Sequence, residues 1–216
     1  MAVYDSTWLA LFGAPSSGKG TTGLAVKQKF LRADHSCDGF CVSEDLLKGN
    51  PEAEKCMREG EFAPDQLVNT LVREKLTSII DINKKILFLD GVARTLIQWD
   101  DLSQVAADLK CRILPVYINT PLDVCFDRSL GRKRSDDAKI QKRFKDWEET
   151  LRVIHRLQGQ DPFIEVVGNP DINTEGKTIE EIKAESIEQV AQDIIRKLAP
   201  YSSDASISSG SRSYAT

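Results

Sequence analysis

The chain has 216 residues, 41% of them hydrophobic, which is enough to bury the core of one domain. Its formal net charge of −4 argues against a general binder of nucleic acids or membrane surfaces, because such proteins carry a basic excess. The sequence has neither an N-terminal signal pattern nor a long apolar run, so we expect a cytoplasmic protein without membrane partners. We also expect a monomer without nucleic-acid partners. The five cysteines lack C-x-x-C pairs, which favours reduced thiols.

A glycine-bearing turn follows the first apolar run, Trp8 to Phe12, and precedes a helical pattern over residues 19–31. The turn, Gly13 to Thr22, contains G-x-x-x-x-G-K. A strand, turn and helix start in this order direct backbone N–H groups at a phosphate. Gly20 stands where the usual pattern has its Ser or Thr, and the hydroxyl comes at Thr21. The alternative is a plain strand-to-helix turn whose backbone requires glycines.

The rest of the chain alternates apolar runs with helical patterns, which predicts βαβ units. The further strands are expected at residues 38–42, 86–89, 113–118 and 163–167, and the further helices at residues 43–47, 52–60, 65–83, 95–109, 121–131, 137–158 and 178–199. We therefore predict an α/β fold of the P-loop NTPase type, with a five-stranded parallel sheet flanked by helices. One domain is expected over residues 1–200, followed by a Ser-rich disordered tail over 201–216.

A carboxylate follows the buried strand at 86–89, at the sheet edge where parallel sheets bind ligands. Asp90 can hold the water shell of Mg²⁺ beside bound phosphates. Arg94 can present its planar fork to a second phosphate. The alternative makes Asp90 a helix N-cap and Arg94 a solvated surface residue.

The most basic stretch lies between Asp127 and Lys145. It contains Arg128, Arg132, Lys133, Arg134, Lys139, Lys142, Arg143 and Lys145. Such a run is usually a solvated helix face, and the alternative is an electrostatic clamp on phosphates.

Several motifs, in order, resemble those of the adenylate kinases, a family of nucleoside monophosphate kinases. The phosphate loop G-A-P-S-S-G-K-G-T resembles the family's loop, with Ser16 where the family usually has glycine. If that position needs a positive φ, serine strains the loop by about 1–2 kcal/mol. The segment Val42 to Lys48 resembles S-T-G-D-L-L-R, which places Ser43 and Lys48 at AMP-contacting positions and Glu44 at a glycine.

Two further motifs concern the acceptor. Met57 to Asp65 resembles M-x-x-G-x-x-V-P-D, whose backbone lines the AMP pocket. Asp90 to Gln98 resembles D-G-F-P-R-T-x-x-Q, in which the Arg grips the AMP phosphate and the Gln recognises adenine. These residues match Arg94 and Gln98, and Thr95 also favours AMP over other monophosphates. Ala93 replaces the family's proline. An alanine at this position favours an ordinary trans peptide bond before it.

The basic stretch resembles the short, metal-free lid of the family, here about residues 129–140. Its R-x-x-x-R matches Arg128 and Arg132, its G-R-x-D-D matches the segment at Arg134, and its I-x-x-R ends at Arg143. The turn at Pro170 resembles the one that frames the adenine of ATP.

The resemblance implies reversible transfer of a phosphoryl group from Mg-ATP to AMP, giving two ADP. The implied catalytic residues are Lys19, Arg94, Arg128, Arg134 and Arg143, and Asp90 holds Mg²⁺ through water. The implied ATP-binding residues are Ser16, Ser17, Gly18, Lys19, Gly20, Thr21, Arg128, Arg132 and Pro170. The implied AMP-binding residues are Ser43, Lys48, Glu61, Phe62, Ala63, Gly91, Arg94, Gln98, Arg134 and Arg143. The alternatives are a UMP/CMP-type kinase or a weakly active nucleotide-binding pseudoenzyme with a sensing role.

Overall fold

A five-stranded sheet forms the centre of the computed structural model, which describes residues 6–32, 37–59, 61–80, 86–131 and 140–201. The strands are β1 (Ser6–Phe12), β2 (Cys37–Cys41), β3 (Ile86–Asp90), β4 (Cys111–Asn119) and β5 (Ile164–Val167). Their order is β2-β3-β1-β4-β5, and all four neighbouring pairs are parallel. The predicted α/β class and five-stranded parallel sheet are confirmed.

Seven α-helices connect and flank the strands in the described part of the chain. They are α1 (Lys19–Arg32), α2 (Pro51–Glu59), α3 (Asp65–Ile80), α4 (Leu96–Asp108), α5 (Leu122–Leu130), α6 (Ile140–Leu157) and α7 (Ile179–Leu198). None of these helices is both long and apolar enough to cross a membrane.

The short helix expected at residues 43–47 is instead a π-helical turn, Val42–Leu46. The N–H of Leu47 closes this turn by donating to Val42 O at 3.0 Å. The Asp45 carboxylate reaches back to accept from the N–H of Cys41 at 2.7 Å, which holds the turn against the end of β2. Gly49 follows with a positive φ of 88°, so the turn cannot extend into a regular helix.

Side chains of the central strand alternate between two apolar layers. Trp8 and Phe12 face the layer that includes α3, α4 and α6, whereas Leu9 and Leu11 face the layer that includes α1 and α7. Because helices cover both faces, the strands read as continuous apolar runs, as expected for parallel sheets.

The strand order fixes where a ligand can bind. β1 lies between β3 and β4, and Leu11 of β1 pairs in register with Asp90 while Phe12 pairs with Tyr117. The chain runs from β1 toward one edge of the sheet and later returns to the other side of β1. A crevice therefore opens at the carboxyl ends of the central strands, where such sheets bind ligands.

The C-terminal end of the described chain is tied to the sheet. A short 3-10 turn, Ala199–Tyr201, follows α7. The hydroxyl of Tyr201 donates to Asp161 Oδ1 at 2.5 Å, and the guanidinium of Arg112 donates to Tyr201 O. Tyr201, expected to begin the tail, is therefore part of the folded chain, and the remaining tail residues, 202–216, lie outside the described residues.

Candidate functional site

The loop between β1 and α1 is a tight turn closed by its own backbone. The N–H of Ser17 donates to Ala14 O at 3.0 Å. The ammonium of Lys19 folds back over the loop and donates to Gly13 O at 2.7 Å and to Ala14 O at 3.0 Å. A Cβ at Gly13 would lie 2.4 Å from Ser17 Oγ and 3.0 Å from Ile118 O, so a larger residue there would force the loop to shift. These contacts give the predicted phosphate loop a compact turn closed by its own hydrogen bonds.

Ser16 adopts the backbone conformation that was expected to strain this loop. Its φ is 62°, in the left-handed region that L-residues other than Asn and Asp rarely adopt. Its hydroxyl oxygen lies 2.7 Å from that of Ser129 on α5. The strain is therefore held by a contact outside the loop.

Three charged side chains meet at the carboxyl ends of β1 and β3. Burial lowers the pKa of Lys19, and the nearby Asp90 carboxylate opposes this shift while the charge of Arg94 adds to it. Burial also lowers the pKa of Arg94, again against the effect of Asp90. The crevice therefore gathers two cations around one carboxylate, which suits it to polyanionic ligands.

The oxygen donors at this point fit a hydrated Mg²⁺ ion. Asp90 is partly exposed and lies beside the start of α1, since a Cβ at Gly20 would be in ordinary van der Waals contact with Asp90 Oδ2, at 3.5 Å. Mg²⁺ usually keeps several waters and binds through one or two carboxylates and substrate phosphates. In the described residues no group of three or more His, Cys, Asp or Glu side chains forms a metal cage. The chemistry of this single carboxylate fits the predicted water-mediated role of Asp90.

The turn after β3 places Arg94 in the crevice. Gly91 and Ala93 have φ angles of 77° and 55°. The one cis peptide in the described part of the chain is Asp161–Pro162, so the trans peptide expected before Ala93 is confirmed. The guanidinium carbon of Arg94 lies 5.3 Å from the ring centroid of Phe62, and a Cβ at Gly91 would lie 3.0 Å from Arg94 Nη2. Three predicted acceptor residues, Phe62, Gly91 and Arg94, are thus brought together.

Gln98, expected to recognise adenine, is engaged by protein partners at both ends of its amide. Its Nε2 donates to Asp65 Oδ1 at 2.8 Å, and its Oε1 accepts from the N–H of Arg94 at 2.9 Å. The side chain is buried, with 3% of the residue exposed. Its part in base recognition stays a prediction. Asp65 has no role predicted from the sequence, yet its carboxylate accepts from both Gln98 and Thr95.

Two further predicted donor-side residues, Arg128 and Pro170, lie on α5 and after β5. The guanidinium of Arg128 donates to Asn169 Oδ1 at 2.8 Å, which brings it beside Pro170. Arg143, on the first turn of α6, is close enough for its charge to contribute, after burial, to the lowered pKa of Arg94. Arg132 and Arg134, with most of the predicted lid, lie outside the described residues.

The loop between α2 and α3 contacts α6. The ammonium of Lys142 donates to Glu59 O at 2.9 Å and to Glu61 Oε1 at 3.0 Å. Ala63 of the same loop is buried, whereas Lys48 is exposed in the turn before α2. Ser43 lies in the π-helical turn, and its side chain is outside the described part of the structure.

Comparison with known proteins identifies the family. A family model described as an AAA domain matches residues 12–143, from the phosphate loop to the start of α6. The chain belongs to this family. It is also 30% identical over 152 residues to the adenylate kinase of Thermobifida fusca, covering 69% of this chain and 76% of the relative. With the adenylate kinase of Mycoplasma mobile it shares 32% identity over 128 residues, spanning 58% of this chain and just over half, 57%, of that relative.

A solved structure shares the fold. The crystal structure of a gluconokinase from Sinorhizobium meliloti 1021 matches with a TM-score of 0.54 at 16% identity, covering 93% of this chain and 99% of that one. At this identity the likeness concerns the fold alone. The family model and the relatives make the chain a P-loop kinase, a nucleotide-binding phosphotransferase homologous to the adenylate kinases.

Proposed function

We propose that this P-loop kinase is an adenylate kinase, which transfers a phosphoryl group reversibly from Mg-ATP to AMP. The observation that carries the proposal is the position of Arg94. Its guanidinium packs over Phe62 while its charge acts on Lys19 across the phosphate loop. A cation placed between the phosphate loop and the α2–α3 loop suits a kinase whose acceptor carries a phosphate.

On the donor side, Lys19 and the amides of residues 16–21 cradle the β- and γ-phosphates of ATP. Asp90 would hold Mg²⁺ through water, and the ion would supply positive charge that neutralises the phosphates. Arg128, which donates to Asn169 Oδ1 beside Pro170, is assigned to ATP binding and to the moving phosphoryl group by resemblance to the family.

On the acceptor side, Arg94 grips the AMP phosphate, and the loop of Glu61, Phe62 and Ala63 lines the base pocket. Ser43, Lys48, Gly91 and Gln98 complete this half of the site, by resemblance to the family. The adenylate kinase homologues support AMP as the acceptor, and UMP or CMP is the alternative.

Transfer of the phosphoryl group needs alignment, charge neutralisation and exclusion of water rather than covalent help. Arg94 and Arg143 bring positive charge to the acceptor side of the crevice. The proposed lid, about residues 129–140 with Arg132 and Arg134, closes over the site and keeps water from taking the phosphoryl group.

A coupled assay with ATP and each of AMP, UMP, CMP and GMP tests the proposal. We expect AMP to be the best acceptor and Arg94→Ala to lose turnover, with Arg94→Lys retaining part of it because charge remains without the bidentate fork. Arg152→Ala is the matched control, since Arg152 is exposed on α6 and pairs with Glu149. A clear preference for UMP or CMP would make that monophosphate the acceptor in place of AMP. Turnover no greater than that of Lys19→Ala would favour the pseudoenzyme.

A further inference from the structure

The peptide groups on both sides of the Arg94 Cα are held by side chains from two different helices. The Arg94 N–H donates to Gln98 Oε1 on α4 at 2.9 Å. Its C=O accepts from Thr150 Oγ1 on α6 at 3.2 Å. Thr150 and Gln98 are both buried, with 6% and 3% of each residue exposed. The backbone of Arg94 is therefore fixed at two points.

A third helix fixes Gln98 in turn. Asp65, the first residue of α3, accepts from Gln98 Nε2 at 2.8 Å and from Thr95 Oγ1 at 2.9 Å, both through Oδ1. The hydroxyl of Thr95 also caps α4 by accepting from the N–H of Gln98 at 3.2 Å. With Nε2 held by Asp65, the amide of Gln98 is oriented so that Oε1 faces the N–H of Arg94.

These anchors hold a turn that its own sequence does not favour. Ala93, which is buried, precedes Arg94 with a φ of 55°, a conformation that costs an L-residue free energy. A strained turn persists only where surrounding contacts determine it. Thr150 and Asp65 supply such contacts from α6 and α3.

In the ranges that the structure describes, the guanidinium of Arg94 has no hydrogen-bonded anchor comparable to those of its backbone. There it packs on the face of Phe62 and beside Gly91, and neither contact sets a unique angle. The position of the guanidinium therefore depends on the backbone from which it extends.

We propose that Thr150 and Asp65 are positioning residues that set Arg94 for the acceptor phosphate, Thr150 directly through the backbone and Asp65 through Gln98. The inference rests on the proposed function, which places the acceptor phosphate at Arg94. A misplacement of about 1 Å at a catalytic group can cost about 100-fold in rate. Loss of either anchor should therefore impair use of the acceptor and spare binding of ATP.

Matched pairs of variants test this proposal. Thr150→Val keeps the shape and loses the hydroxyl, whereas Thr150→Ser keeps the hydroxyl. Asp65→Ala removes the acceptor oxygen, whereas Asp65→Asn retains one. For Thr150→Val and Asp65→Ala we expect kcat/KM for the acceptor to fall about tenfold, as for loss of a buried hydrogen bond, with KM for ATP nearly unchanged. The Ser and Asn variants should stay close to wild type.

The kinetics of these four variants distinguish a positioning role of Thr150 and Asp65 from a role in packing alone. An equal rise in KM for ATP and for the acceptor would overturn the proposal. Equal kinetics with the acceptor in Thr150→Val and Thr150→Ser would also overturn it. Circular dichroism verifies that each variant is folded. If Thr150→Val does not fold, the comparison of Asp65→Ala with Asp65→Asn tests the proposal.

The wild-type assay tests the proposed function separately. If the wild type prefers another monophosphate, the adenylate kinase proposal fails and the variants are compared with that acceptor. If it turns over none, calorimetric affinities for AMP take the place of kinetics. Equal affinity in both members of each pair, or no binding by the wild type, would then overturn the inference.

Discussion

The hydroxyl oxygens of Ser16, in the phosphate loop, and Ser129, near the end of α5, lie 2.7 Å apart. Ser129 Oγ also donates to Cys125 O at 3.0 Å, which leaves Ser16 as the donor of the pair. The residue with the strained φ is therefore bonded to the helix that leads into the basic stretch after Gly131. A substitution of either serine should therefore change the environment of the other.

Replacing Ser129 by Ala should weaken the phosphate loop. The variant leaves the Ser16 hydroxyl without this partner, so we expect the free energy of unfolding to fall by about 1 kcal/mol and KM for ATP to rise more than KM for AMP. Ser16→Gly relieves the positive φ and removes the hydroxyl. In that background Ser129→Ala should have a smaller effect, which urea unfolding and steady-state kinetics of the double-mutant cycle measure. Strictly additive effects would show that the two residues are not coupled.

Restoring the family's proline at position 93 should be harmful in this chain. Proline requires a φ near −65°, whereas Ala93 has a φ of 55°, so Ala93→Pro should unfold the turn or lower stability by about 3 kcal/mol or more. Ala93→Gly should instead stabilise by about 1 kcal/mol, since glycine accepts a positive φ. Thermal unfolding of both variants measures this, and a stable, active Ala93→Pro protein would contradict the described turn.

The ring of Phe62 should contribute to acceptor binding through Arg94. Phe62→Leu keeps an apolar side chain but removes the cation–π contact, so we expect KM for AMP to rise by about two- to fivefold. Phe62→Tyr retains the ring and is the matched control. Both variants should leave KM for ATP unchanged in the coupled assay. Equal KM values for AMP in the Leu and Tyr variants would assign the effect to shape alone.

The contact of Lys142 with the α2–α3 loop should order that loop only modestly. Lys142 and Glu61 are both substantially exposed, so their ion pair is screened by solvent. We expect Lys142→Met to raise KM for AMP about two- to fourfold, less in high salt. Lys145→Met, an exposed change on the same helix, is the control. A salt-independent effect of Lys142→Met would argue for its bond to Glu59 O instead.

The stability of the protein should depend on pH through Lys19. Burial lowers the pKa of this ammonium below its ordinary 10.5, so the unfolded chain binds more protons between the two pKa values. Wild type should therefore gain stability relative to Lys19→Met as the pH rises through this interval. Urea unfolding of both proteins across alkaline pH measures the difference. A difference that stays constant with pH would show that the pKa of Lys19 is not lowered.

The sheet was predictable because its strands carry local signals. Ile86 to Leu89 forms a continuous apolar run, which marks a strand covered on both faces. The ends of the strands were predicted less accurately, for a physical reason. β4 begins at Cys111 rather than at Ile113 because Ser6 and Thr7 of β1 pair with Cys111 and Arg112, and that register depends on the partner strand.

The candidate site was predictable only in part, because some contacts join residues far apart in sequence. The phosphate loop, Asp90 and Arg94 lie in motifs whose spacing reflects their chemistry. Thr150 is 56 positions from Arg94 and Ser129 is 113 positions from Ser16, and both are single polar residues on helices without a local pattern. Asp65 lay within a family-like segment, but only the structure shows that its carboxylate holds Gln98.

The place of β2 has a consequence for how this fold can diversify. β2 is an edge strand paired only with β3 in the sheet, and residues 42–80, which hold the proposed acceptor loop, lie between these two strands. This stretch connects two neighbouring strands, and its helix α3 packs in the apolar layer that covers Trp8 and Phe12. A change in the acceptor loop before α3 leaves the pairing of β1 with β3 and β4 untouched, whereas a change in α3 uncovers the core. The proposed acceptor loop is thus separate in sequence from the phosphate loop, and α3 joins it to the core that both share.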